Sequence, residues 1–345
     1  MSTNPIPTKL LKWYSSHKRS IPWRETQNPY FIWLSEVIMQ QTRVEQGTPY
    51  YLRYIEKYPT LLELANAPDD EMMKLWQGLG YYSRARNMLA AARQIRDEFG
   101  GVFPMEYKHI RALKGVGEYT AAAIASIAFN QNYAAIDGNV LRVLSRFYGE
   151  FSPIDSSIGK KRYAQLADEL LNKEFPGEFN QAMMELGATV CKPRQPLCNA
   201  CPISAECVAL SKNLQAQLPI KAGKTKVTKR LFHYLVLSSQ GKTLLKKRSS
   251  GDIWQGLYEF PLIEGDLNEM QVMEQAALWC KEPFVLKTIS NEIKHLLSHR
   301  ELRAKFYSIE TDELIPQTEF TLVNWSDFEN YPVSRLIERW RGSSG

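Results

Sequence analysis

Residues 113–129 read Leu-Lys-Gly-Val-Gly-Glu-Tyr-Thr-Ala-Ala-Ala-Ile-Ala-Ser-Ile-Ala-Phe, and their two glycines, Gly115 and Gly117, separate a short helical stretch from an Ala-rich one. That pattern predicts a helix-hairpin-helix. Glycine lets the chain turn tightly. The N–H groups of Gly115, Val116 and Gly117 then stand at the N-terminus of the second helix, aimed outward, where they can hold a phosphate oxygen. Ala121, Ala122, Ala123 and Ala125 are small enough for the two helices to approach closely. An ordinary helix–helix connection uses the same glycines, so the neighbouring segments have to decide.

Two carboxylates lie on either side. Ile136-Asp137-Gly138-Asn139-Val140 is a short polar turn that opens the next helix. Asp137 either caps that helix, as Asp routinely does, or serves a site beside the hairpin. Upstream, PYFIWLSEVIMQQT spans 29–42 with Phe31, Leu34 and Ile38 at helical spacing, and Glu36 sits among them. Desolvation in such an apolar helix would raise its pKa and keep a proton available near neutrality, which is a general acid's environment. The competing reading is a solvated carboxylate paired along the helix with Gln40 or Arg43.

Four of the five cysteines form one cluster, Cys191-x6-Cys198-x2-Cys201-x5-Cys207, with prolines at 193, 196 and 202 stiffening the loop. The N-terminus, MSTNPIPTKLLKWYSSHKRS, lacks a signal peptide's apolar core, so the expected compartment is the cytosol, where thiols stay reduced and serve as ligands rather than disulfides. Four thiolates suit either zinc or an iron–sulfur cluster, and the spacing does not choose between them. Cys280 stands apart and reads as an inert core thiol.

At roughly 150 residues per domain, 345 residues predict two domains. A chain that is 44% hydrophobic and 23% charged is not disordered or of low complexity. No apolar run approaches the roughly 20 residues of a membrane span. The net charge of +6 is uneven: residues 1–220 carry +4, residues 221–230 (KAGKTKVTKR) carry +5, and residues 231–345 carry −3. The basic decapeptide reads as a solvated linker. Before it, helical periodicity recurs at Met72–Trp76, Ser83–Phe99, Thr120–Phe129 and Tyr163–Leu171. After it, FHYLVLSS (232–239) and KTLLKKR (242–248) predict a β-hairpin, followed by a helix near Met270–Cys280 and strands between Glu292 and Ile309.

Taken in order, LSEVIMQQT (34–42), LKGVGEYTAAAI (113–124), IDGNV (136–140) and the four-cysteine loop resemble the endonuclease III superfamily of base-excision DNA glycosylases, and within it the MutY-type adenine DNA glycosylases, over nearly the whole chain. The resemblance implies an α+β multidomain protein. Its all-α glycosylase region would cover 1–215, with a six-helix helix-hairpin-helix subdomain at about 25–132 and an iron–sulfur subdomain built from the N-terminal segment and 133–215. A linker at 216–229 and an α/β Nudix-like domain at 230–341 would follow. The cysteine loop would become a [4Fe–4S] site ligated by Cys191, Cys198, Cys201 and Cys207.

The same resemblance assigns roles. Glu36 would protonate adenine at N7 while the glycosidic bond breaks, and Asp137, kept ionised, would stabilise the charge developing on the sugar and trap it covalently, the two-carboxylate logic of retaining glycoside hydrolysis. Asn139 and Tyr119 would position these groups. Tyr119 stands where strand-cutting relatives carry a nucleophilic lysine, and Lys114 lies before the glycines, so a lyase is disfavoured. Trp23, Arg24, Val44, Gln181 and Glu185 match the wall of the adenine pocket; Gln40, Gln41 and Tyr81 match residues at the mispair, which the enzyme must open by flipping the adenine out. From its charge Arg84 reads as a phosphate contact or, equally well, as an ordinary surface cation, beside the N–H groups of Gly115, Val116 and Gly117. In the second half, Leu297-Ser298-His299 aligns with a loop that reads 8-oxoguanine and is usually written Phe-Ser-His, so Ser298 and His299 are retained while Leu297 offers an apolar wedge without stacking. No R-E-x-x-E-E run occurs near Leu267–Glu282, so nucleotide hydrolysis by this domain is not expected.

The expected substrate is therefore duplex DNA with adenine opposite 8-oxoguanine or guanine, acted on by a monomeric enzyme of a bacterial cytoplasm, with no membrane association and with other repair proteins meeting the linker. Two alternatives remain at this point. A bifunctional glycosylase and lyase lacks its lysine at 119 and needs no C-terminal domain. A non-catalytic DNA-binding iron–sulfur protein needs neither carboxylate.

Overall fold

The structure, a computed structural model, describes residues 5–223, 227–297 and 299–343; Ser298 and residues 224–226 of the basic segment lie outside the described residues. The chain divides into two compact units, Met1–Asn66 with Ala90–Gly223, and Ala67–Leu89 with Lys224–Gly345.

The helices of the first half are α1 (Pro5–His17), α2 (Pro29–Met39), α3 (Val44–Lys57), α4 (Leu61–Ala65), α5 (Asp69–Trp76), α6 (Ser83–Phe99), α7 (Tyr107–Ala112), α8 (Glu118–Phe129), α9 (Gly138–Tyr148), α10 (Ser157–Leu170), α11 (Pro176–Thr189) and α12 (Val208–Ser211). Local chemistry sets their ends. Asn28 caps α2 by accepting from Tyr30 N–H at 3.0 Å, with Pro29 preset in the first turn. A Thr60–Glu63 capping box opens α4, Ser156 caps α10, and α9 stops at Gly149 in the left-handed region.

The hairpin joins α7 to α8. Gly115, at φ 76, has the backbone conformation that requires glycine, whereas Gly117 is the N-cap of α8 at φ −85 with open space where a Cβ would stand. The fold therefore needs only the first of the two glycines. The small face of α8, from Ala121 to Ala125, is buried. Gly177 shows how close the packing is: a Cβ there would meet the Ser126 carbonyl oxygen at 2.6 Å and Ile127 Cα at 2.8 Å, so the start of α11 lies against the backbone of α8. Around α9, residues of α1, α10 and α11 form one core, with Cys191, Cys201 and Cys207 packed on its edge.

The second unit carries β1 (Thr228–Ser238), β2 (Lys242–Lys247), β3 (Tyr258–Glu259), β4 (Leu262–Glu264), α13 (Glu269–Ala276), β5 (Phe284–Ile289), β6 (Ile293–Leu296), β7 (Arg300–Thr311), β8 (Phe320–Asn324) and α14 (Arg335–Ser343). Among the described residues one sheet runs β4-β1-β7-β5 with β6 also paired to β7, and a second runs β3-β2-β8. The predicted hairpin of β1 and β2 is not what the chain adopts. Both strands form, but they meet only at the isolated bridge Ser239↔Lys242 and then enter different sheets. The reason is burial on both faces of β1: Phe232, Tyr234 and Val236 enter one core and Leu235 and Leu237 another. Such a strand belongs in the middle of a sheet, and β1 pairs in parallel with β7 from Thr228↔Arg300 to Ser238↔Glu310. Residues 67–89 belong to this unit as well. Tyr258 O–H donates to Asp70 at 2.9 Å, Gln77 Nε2 to Glu338 at 2.5 Å, and Arg86 to the Gln255 carbonyl at 2.7 Å.

A methyl group at position 177 has nowhere to go. Gly177→Ala is expected to lose about 1–3 kcal/mol of stability, whereas Gly117→Ala, facing open space, should lose less than about 1 kcal/mol, as measured by urea unfolding.

Candidate active site

The second residue of α8 connects the hairpin to the acid. Tyr119 O–H donates to Glu36 Oε2 at 2.6 Å, with Met184 Sδ at 3.3 Å from the same tyrosine oxygen. Glu36 projects from α2 into a desolvated site, and its pKa is pushed up to about 7: burial raises it most, the Tyr119 hydrogen bond pulls it back, and the charge of Asp137 raises it again. Gln40, one helical turn away, is engaged elsewhere, donating to Thr120 Oγ1 at 3.2 Å. Pairing along the helix is thus not what holds Glu36.

Asp137 caps α9 and also stands beside the hairpin, lining the same cavity as Glu36. Its Oδ1 accepts from Val140 N–H at 2.7 Å, capping α9, and its Oδ2 accepts from Asn139 Nδ2 at 2.8 Å. Burial raises its pKa, and these hydrogen bonds with the nearby Arg142 charge oppose the rise. Asn139 is itself fixed. Arg142 Nη2 donates to Asn139 Oδ1 at 2.8 Å and to the Gly187 carbonyl at 2.7 Å, while its Nε donates to the Cys191 carbonyl at 2.7 Å. A Cβ on Gly187 would meet Asn139 Cβ at 2.6 Å, so α11 and α9 hold that side chain between them.

Glu36, Tyr119, Asp137 and Asn139 line one cavity of about 190 Å³ together with Trp23, Arg24, Val44, Gln181 and Glu185. The wall is preset by an ion cluster. Glu185 is 0% exposed in its side chain and receives Arg19 at 2.8 Å and Arg24 at 2.6 Å. Burial by itself would raise the Glu185 pKa, but the hydrogen bonds from the two arginines outweigh it and hold the carboxyl at about 2. Tyr14 O–H donates to Gln181 Oε1 at 2.5 Å. Arg19 and Tyr14 escaped the sequence reading because nothing in local spacing marks them; their partners lie on α11, more than 160 residues away.

The remaining candidates fall outside the cavity. Gln41 is exposed in the left-handed region at φ 56 just after α2, and Tyr81 is exposed at φ 47. Arg84 does not present its charge to solvent. It is buried, with Nη2 3.3 Å from the Gly80 carbonyl and its guanidinium 4.9 Å from the Trp76 ring, so it braces the loop that carries Tyr81. The four thiols of Cys191, Cys198, Cys201 and Cys207 line a separate small cavity with Val190, Pro196 and Leu210. Arg146 of α9 donates to Cys191 Sγ at 3.4 Å and to the Lys192 carbonyl at 2.7 Å. In the second unit His299 is exposed at the turn between β6 and β7, with Leu297 packed on the core beside it.

A half-buried glutamate bonded to the hairpin helix lies beside an aspartate at the N-terminus of α9, and the HhH-GPD superfamily model of base excision DNA repair proteins matches residues 34–171; a NUDIX domain model matches residues 233–340. The mouse adenine DNA glycosylase is 32% identical over 96% of this chain and 76% of its own length, and that of Buchnera aphidicola subsp. Baizongia pistaciae is 33% identical over 88% and 85%. The chain belongs to the adenine DNA glycosylases. It is thus a DNA glycosylase enzyme with a helical core and a C-terminal Nudix-like domain. Among solved structures, a thermostable thymine-DNA glycosylase aligns with TM-score 0.55 and 29% identity over 60% of this chain and 95% of that one. An endonuclease III–DNA complex, at TM-score 0.52 and 24% identity over 61% and 95%, shares the fold.

The Glu185 cluster makes stability depend on acid. A carboxyl whose pKa falls from 4.5 unfolded to about 2 folded contributes fully above pH 4.5 and loses that contribution as pH falls through 2. Denaturant midpoints measured from pH 5 to pH 2 should fall, and Glu185→Gln should flatten that part of the profile.

Proposed function

We propose that this enzyme excises adenine paired with 8-oxoguanine or guanine in duplex DNA and leaves an abasic site without cutting the strand. The carrying observation is the 2.6 Å hydrogen bond from Tyr119 to Glu36 Oε2, in a cavity that also holds Asp137. With Oε2 occupied by a donor, the acidic proton resides on Oε1, free to be passed to N7 of a flipped adenine. Protonation lets the base leave with the electron pair of the C1′–N9 bond. The Asp137 carboxylate faces the positive charge left on the sugar and closes on C1′ as an ester. Water then displaces it, giving its proton to the Glu36 carboxylate. Asn139 keeps Asp137 Oδ2 oriented through both steps, and Arg142 keeps Asn139. Tyr119 has no amine with which to form a Schiff base, so strand scission has no nucleophile at this position.

Trp23, Arg24, Val44, Gln181 and Glu185 would enclose the base, with Gln41 and Tyr81 filling the gap it leaves and Gln40 supporting the first of them. The N–H groups of Gly115, Val116 and Gly117 would take a phosphate of the backbone, and the open space at Gly117 suits the approach of a ligand to the N-terminus of α8. Leu297, Ser298 and His299 would read the opposite base. The four cysteines line one cavity, and we assign them a [4Fe–4S] cluster rather than zinc because of the resemblance to the endonuclease III superfamily. Cys191, Cys198, Cys201 and Cys207 would hold such a cluster in the loop that Arg142 and Arg146 grip, where it would be structural. Among the described residues no helix is long and apolar enough to cross a membrane. We place the enzyme, as a monomer, in the cytoplasm of a bacterial cell on its DNA; within the 216–229 segment Leu218 is buried with its carbonyl bonded to Arg146, so other repair proteins would meet the exposed residues 221–223 and 227–229.

Single-turnover cleavage of a duplex with a central adenine opposite 8-oxoguanine tests this. Strand breaks should appear only after alkali, and Glu36→Gln should slow excision by at least about 100-fold. Breaks without alkali would overturn the monofunctional assignment. The reactive form carries a proton on Glu36, so the rate should be lost as pH rises through about 7. Tyr119→Phe removes the hydrogen bond that lowers this pKa, and should move the alkaline limb to higher pH.

A further inference from the structure

The 248–257 loop of the second unit is built around one carboxylate. Asp252 accepts from three arginines on three separate elements: Arg230 of β1 at 2.7 and 2.8 Å, Arg248 after β2 at 2.7 Å, and Arg300 at the start of β7 at 2.6 Å. Two residues on, Trp254 is held in the left-handed region at φ 60 and sets its ring against His295 of β6, with centroids 5.7 Å apart. The loop also has anchors that do not involve β6 or β7. Arg248 donates to the Ile253 carbonyl at 2.8 Å and pairs with the buried Glu259, and its N–H donates to the Leu257 carbonyl at 2.9 Å.

His295 and Arg300 stand on the two legs of one turn. It closes with Leu297 N–H donating to the Arg300 carbonyl at 2.8 Å, and the His299 carbonyl accepts from Thr228 N–H at 3.0 Å. One multiply bonded loop therefore contacts both His295 and Arg300, on either side of Leu297 and the exposed His299. The hold also changes what Arg300 can do. A free guanidinium beside DNA is drawn to any phosphate whatever the base, whereas one bonded to Asp252 is a fixed strut.

We propose that Asp252 and Trp254 are positioning residues for base discrimination: by fixing Arg300 and His295 they set the placement of Leu297 and His299 with which the enzyme distinguishes 8-oxoguanine from guanine opposite adenine. This inference rests on the turn being the lesion-reading element. Neither residue touches substrate; both act through the turn.

The test uses the full chain and compares single-turnover excision of adenine opposite 8-oxoguanine with that opposite guanine. Asp252→Asn and Arg300→Gln change the net charge in opposite directions, so an effect of charge on DNA affinity would move them apart. Lost positioning moves them together. Both should lower the 8-oxoguanine-to-guanine rate ratio by roughly three- to tenfold, with Arg300→Lys intermediate. Should Asp252→Asn fail to fold, Arg300→Gln decides alone, since it leaves Asp252 its two other arginines. An unchanged ratio in a folded Arg300→Gln enzyme overturns the proposal, as do opposite shifts in the two variants. Leu297→Ala with His299→Ala separates the two levels. If that pair alters the ratio and the Asp252 and Arg300 variants do not, only the positioning role is lost. If the pair leaves the ratio unchanged, the lesion-reading role of the turn falls, and the proposal with it.

Discussion

In the cavity of the helical unit, Tyr119 donates a hydrogen bond to a carboxyl group whose pKa burial has raised, that of Glu36. A glutamate in water is ionised at neutral pH; Glu36 is held at about 7 because the apolar environment of α2 strips its hydration. Desolvation alone would leave an acid of undefined orientation. Tyr119 supplies the direction, and Tyr119 is where it is because Gly115 turns the chain into α8 two residues before that helix's N-cap. The turn that leads into α8 therefore also aims the Glu36 carboxyl, and in the proposed reaction it would tie grip on the DNA backbone to chemistry at the base.

The second carboxylate depends on a different constraint. Asp137 caps α9, and a cap is the most reproducible position a side chain can occupy on a helix, since its partner is the backbone itself. From that helix Arg142 reaches Asn139 in one direction and the Cys191 carbonyl in the other, and Arg146 one turn on grips Cys191 Sγ and the Lys192 carbonyl. The cysteine loop and the aspartate are thus mounted on one rail of two buried arginines. In a buried setting such multiply bonded guanidinium groups act as struts, because moving one end leaves donors unsatisfied at the other.

What could be read in the sequence followed from how local its signal was. The hairpin, the apolar helix around Glu36, the α6 boundaries and the cysteine spacing are all written in consecutive residues, and the structure has helices over Pro29–Met39, Ser83–Phe99 and Glu118–Phe129. The two readings of Asp137 could not be separated in the sequence because the capping carboxylate also lines the cavity. Arg84 looked like a surface cation and is a buried brace, a distinction set by Trp76 and the loop carbonyls rather than by its own neighbours. Arg19 and Tyr14 were invisible, since each acts on a residue of α11 far along the chain. The β1–β2 hairpin failed for the same reason. Two strands joined by a short connection normally pair, and only the two-faced burial of β1, decided by β7 some 70 residues later, sends them into different sheets.

Glu36 must keep its proton up to about pH 7 in the free enzyme if it is to act as the acid. This can be tested without turnover, by following the side-chain carboxyl ¹³C shift of Glu36 against pH, with the resonance assigned by its absence from Glu36→Gln. A midpoint near 7 is expected. A midpoint near 4.5, the ordinary value for a glutamate, would mean that the site does not desolvate the group and that Glu36 enters the reaction already ionised, with no proton to give the base.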